Sequence, residues 1–94
     1  MKQQDTLKYI LENLRRAKLL DQRIQEKKMN EVVLRDHLVQ RNSFLNKAIK
    51  VANTELGYSI VPVRYRQLNI TREFNGMVQL LAREYKKEES ADAL

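Results

Sequence analysis

Cysteine and tryptophan are absent from this 94-residue chain, glycine occurs twice, and proline and histidine once each. Without cysteine there is no disulfide framework, no thiolate nucleophile and no Cys-based zinc site. The single histidine, His37, cannot assemble a metal site or a catalytic triad alone, so neither metal nor cofactor is expected. Apolar runs are short, which rules out a helix that spans a bilayer. The first residues, Met1-Lys2-Gln3-Gln4-Asp5, lack the apolar stretch of a secretory signal, and cytoplasmic residence is the corresponding expectation. Missing too are a glycine-rich phosphate loop, a metal-ligand spacing and a nucleophile beside a base, so the chain does not read as an enzyme.

The scarcity of helix breakers carries the fold. From Met1 to Leu56 there is no glycine and no proline, in a stretch rich in Leu, Lys, Arg, Glu and Gln. These side chains lose little rotamer freedom in a helix. Leu7, Ile10, Leu14, Ala17 and Ile24 recur at helical spacing, and a heptad frame begun on Leu7 and Ile10 reaches Leu38, Leu45, Ile49, Ala52 and Leu56 without a change of phase. Lys28, Glu31 and Arg35 interrupt its apolar positions in succession, which favours two helices divided near 28–31 over one long helix. Gly57 has the place of a helix-terminating residue in the left-handed region.

Tyr58 to Tyr65, β-branched and interrupted by Pro62, reads as an extended connector. Ile70, Phe74, Met77, Val78, Leu81 and Tyr85 then form the apolar face of a last helix. Asn69 or Thr71 would cap that helix, and this is also the better reading of the Asn69-Ile70-Thr71 glycosylation sequon. The expected architecture is all-α. It is an antiparallel three-helix bundle or long helical hairpin, with helices near 5–28, 31–56 and 70–87 in one domain over 1–88 and a frayed tail over 89–94. The last helix should return onto the second, which leaves the first more exposed. A core from Leu38, Leu45, Ile49, Ala52, Phe74, Met77 and Leu81 follows.

A domain this small buries a modest share of its surface, and oligomerisation is the usual remedy. The Leu7, Ile10 and Leu14 stripe is therefore the expected partner-binding seam, used for a homodimer or for another protein.

Charge is uneven. Residues 1–36 carry nine bases and six acids, residues 37–72 carry six bases against Glu55 alone, and residues 73–94 are net acidic. Arg41, Lys47, Lys50, Arg64, Arg66 and Arg72 are thus the candidate polyanion-binding residues. Asn42, Asn46, Asn53, Gln67 and Asn69 would supply neutral hydrogen bonds beside them. In an extended segment Arg64 and Arg66 share one side while Tyr65 takes the other, so Tyr65 should pack inward beneath two solvated arginines. The plainer reading of all this charge is a solvated face. For function, the sequence favours a non-enzymatic helical interaction protein (an adaptor, chaperone or regulator) over a basic nucleic-acid-binding accessory protein.

Overall fold

The computed structural model describes residues 3–92, with side chains described as far as Glu89. Three helices account for the regular structure of these residues: α1 Gln3–Glu26, α2 Glu31–Leu56 and α3 Thr71–Asp92. The body is elongated, 54 × 22 × 21 Å.

The break between the first two helices has a local cause. Asn30 is extended (φ −69°, ψ 165°) and its Oδ1 accepts from the amide of Val33 at 2.9 Å, satisfying one of the donors a helix start leaves without a partner. The turn sets Lys28, Glu31 and Arg35 in solvent, as their interruption of the heptad frame requires. At the other end of α2, Gly57 has φ 77° and stops the helix.

The two arms of the hairpin bury the same heptad frame against each other. Leu7, Ile10, Leu14 and Ala17 of α1 meet Leu45, Ala48, Ile49 and Ala52 of α2, and the small alanines let the helices approach closely. A fully buried Leu or Ile contributes about 1.5–3 kcal/mol, so this seam contributes several kcal/mol to stability. It also corrects the expected partner-binding stripe. Leu7, Ile10 and Leu14 are 0%, 0% and 2% exposed within the single chain and are not available to a second one. The apolar stripe that suggested a dimer belongs to the intramolecular core, and α1 is not the exposed element.

Residues 57–70 form no strand. They run back along α2 to the hairpin end of the molecule, where α3 begins. Lys18 lies over the ring of Phe74 near the start of α3, and Gln3 donates to Glu84 further along it. Hence α3 runs antiparallel to α1 and in the same direction as α2. It packs on α1, not on α2 as expected from the sequence, because the connector takes the polar face of α2. Val63 of the connector, with Ile70, Met77, Leu80 and Leu81, completes the core. The last helix extends to Asp92, beyond the end expected at 87. Residues 1, 2, 93 and 94 lie outside the described residues.

Candidate functional site

The connector is held by side chains instead of by a neighbouring strand. Asn53 and Asn46 each form a reciprocal pair with its backbone. Asn53 donates to the carbonyl of Ile60 and accepts from its amide, both at 2.9 Å. Asn46 donates to the carbonyl of Val63 at 3.2 Å and accepts from its amide at 2.8 Å. Asn42 donates to the carbonyls of Arg64 and Tyr65, each at 3.1 Å. The spacings match physically. Seven residues of helix at about 1.5 Å each, and three of extended chain at about 3.3 Å each, both cover roughly 10 Å. The amide of asparagine offers the same donor and acceptor as a peptide group, so one face of α2 acts as a substitute strand for the connector.

Arg41 anchors the far end of this ladder. Its guanidinium donates to Asp21 Oδ1 at 2.9 Å, to the carbonyl of Leu68 at 3.0 Å, to the carbonyl of Gln67, and twice to Asn42 Oδ1 at 3.0 and 3.1 Å. It thus ties α1, α2 and the connector together with a fork that a lysine could not reproduce. At the near end, the Tyr58 hydroxyl donates to the buried Glu84 carboxylate at 2.8 Å, joining the connector to α3.

Pinning the connector to α2 leaves a groove between it and α3. The groove encloses about 930 Å³; Ile60, Val61 and Pro62 supply its accessible apolar lining, and the buried Met77 and Leu80 lie beneath. Arg64 on the connector and Arg72 and Arg83 on α3 also line it. Among the described residues none of the three arginines is in an ion pair. The one carboxylate in the lining, Glu73, already accepts from Gln67 Nε2 at 2.6 and 2.9 Å. On the rim Val61 is 78% exposed, and Gly76 lines the α3 side, where an added Cβ would meet nothing within 4 Å.

The expected polyanion-binding set is therefore divided. Arg41 is 0% exposed and internally paired, which removes it from any surface role. Arg64 and Arg72 share the groove, joined by Arg83, which the segment-wise charge count missed because residues 73–94 are net acidic. Arg66 faces a separate hollow of about 200 Å³ with Arg35, Leu34 and Tyr65. The separation arises from a turn in which the amide of Gln67 donates to the carbonyl of Arg64 at 3.1 Å, so strict alternation does not hold. Tyr65 is half-exposed beside Arg66 and does not pack inward beneath it. Lys47 and Lys50 are exposed on α2, where Lys47 and Arg16 both stand over the Phe44 ring, at 5.5 and 5.6 Å from its centroid. The asparagines expected to help a ligand are spent on the connector, and Asn69 accepts from the amide of Thr71 at 2.9 Å at the start of α3. His37 has its Nδ1 2.9 Å from the Val33 carbonyl, one turn away on the same helix.

Among the described residues there is no group of His, Asp and Glu side chains that could hold a metal ion, and no helix long and apolar enough to cross a membrane. Comparison with protein families, with curated proteins and with solved structures finds no match for the chain.

Proposed function

We propose that this is a non-enzymatic interaction protein of the cytoplasm, and that it presents the groove between the connector and α3 to a protein partner. The observation that carries the reading is the combination of three guanidinium groups, without an ion pair among the described residues, with accessible apolar groups at Ile60, Val61 and Pro62 on a wall fixed by the asparagine ladder. Interfaces are enriched in arginine around an apolar centre, and a pre-formed wall lowers the ordering cost of binding. The alternative, a nucleic-acid-binding accessory role, would draw on Lys47, Lys50, Arg64, Arg66 and Arg72. It is less favoured because only Arg64 and Arg72 of those residues share a surface, and because Ile60, Val61 and Pro62 offer nothing to phosphate.

A photo-crosslinking residue placed at position 61, in protein kept in native lysate with and without nuclease, tests this. A control carries the same residue at position 32, where Val32 is 68% exposed on α2. A discrete protein adduct from position 61, unaffected by nuclease and absent from position 32, is the expected result. Adducts that vanish with nuclease would replace the reading with the nucleic-acid one. Equal adducts from both positions would leave the groove without a role.

A further inference from the structure

We infer that the occupant of the groove is an acidic amphipathic helix of the partner, laid against α3 across Gly76; this rests on the reading of the groove as a protein-binding surface. Three observations converge on it. Arg72, Gly76 and Arg83 all line the groove from α3, and the two arginines are eleven residues apart. That is about three helical turns, or roughly 16 Å along the axis. Carboxylates eleven residues apart on a second helix share one face by the same arithmetic and match this spacing.

Gly76 is the second observation. A glycine in mid-helix is unfavourable relative to alanine, and here no neighbour within the chain requires it, since a Cβ would enter open space. Absence of a side chain at the groove wall is what close approach of another backbone needs.

Charge supplies the third. Among the described residues Arg64, Arg72 and Arg83 have no ion-pair partner, and Glu73 is occupied by Gln67. The groove therefore presents a positive excess around apolar residues, which complements glutamates flanking an apolar stripe. A second copy docking groove to groove would bring arginines to both walls. Single-stranded nucleic acid would want a free aromatic platform, whereas Tyr58, the aromatic residue lining the groove, is half-buried with its hydroxyl committed to Glu84.

The test uses the full chain and a synthetic peptide of about twenty residues, long enough for a helix of roughly 30 Å. It carries two glutamates eleven residues apart and leucine and alanine on the same face. A sister peptide has lysine in place of the glutamates. By calorimetry or fluorescence anisotropy at low ionic strength, the glutamate peptide should bind and the lysine peptide should not. Arg72→Glu with Arg83→Glu should weaken binding at least about tenfold, as loss of two attractions and gain of two repulsions requires. Lys47→Glu with Lys50→Glu makes the same change in net charge away from the groove and should alter affinity by no more than about twofold. Gly76→Leu should abolish binding while circular dichroism and the melting curve show an intact fold, and Gly76→Ala should weaken it without unfolding the chain.

Equal binding of the two peptides, indifference to Gly76→Leu, or equal loss from both double charge reversals overturns the inference. So does failure of the glutamate peptide to bind. In that event an adduct from position 61 still upholds the protein-binding reading, whereas loss of that adduct as well removes both.

Discussion

If the connector is held by side-chain amides, removing one amide should loosen one identifiable stretch of backbone. Asn46→Ala deletes the 3.2 Å bond to the Val63 carbonyl and the 2.8 Å bond from its amide. A net hydrogen bond is worth about 0.5–1.5 kcal/mol, and a buried group left without a partner costs about 1–3 kcal/mol. The Val63 side chain is buried, but Asn46 is half-buried, so water replaces part of the loss. We expect Asn46→Ala to destabilise by about 2 kcal/mol, which for a domain of this size lowers Tm by roughly 8–16 °C. Asn46→Asp should do no better, since it keeps the acceptor but sets a carboxylate against the Val63 carbonyl. Urea titration gives the stability, and a lower midpoint at unchanged slope is the expected form. Amide hydrogen exchange gives the location. The Val63 amide should lose protection in Asn46→Ala and the Ile60 amide in Asn53→Ala, each with smaller effects at the other site. A loss below about 0.5 kcal/mol, or uniform exchange across the connector in either variant, would refute the ladder as the device that holds it.

Three further outcomes follow from the same packing. Arg41→Ala should cost about 3 kcal/mol, near the low end for breaking a buried pair because Asp21 retains 27% side-chain exposure, and Arg41→Lys should recover only part of that in a denaturant titration. The two glycines should respond with opposite signs to alanine: Gly57→Ala destabilises by about 1 kcal/mol at φ 77°, while Gly76→Ala stabilises by about 0.5–1 kcal/mol in open space, both read from urea midpoints. Leu14→Ala should cost about 2–5 kcal/mol with no change in sedimentation behaviour, since its side chain is buried inside one chain.

The helical framework was legible because its signals are local and repeated. The absence of breakers to Leu56, the polar interruption at Lys28, Glu31 and Arg35, the Gly57 stop and the periodic apolar face from Ile70 each report on a few neighbouring residues. The heptad frame identified most of the buried apolar positions, although Ile24 and Leu56 are only half-buried and Leu20 and Ala48 are buried outside it. Yet periodicity alone does not say whether a stripe meets another chain or the next helix. The turn at 27–30 folds the stripe of α1 onto that of α2, and this converts an expected dimer seam into a core. The connector was the opaque part. Its hydrogen bonds are long-range and go to Asn42, Asn46 and Asn53, whose spacing of four and then seven places them on one face of α2. That stripe of amides was the available signal, and it reads equally as a ligand surface until a partner segment of matching length is found. Arg41 was miscounted for a similar reason. Five hydrogen bonds can absorb a charge that a composition count assigns to the surface.

The proposed function requires that the connector and α3 together make the surface that meets a partner. Its most direct test is the set of backbone amide NMR shifts that change when the purified partner, identified by crosslinking at position 61, is titrated onto the full chain. The predicted changes lie within residues 58–67 and 72–83, and they disappear in the Arg72→Glu, Arg83→Glu chain. Changes centred instead on the exposed valines of α2, Val32, Val33 and Val39, would contradict the claim.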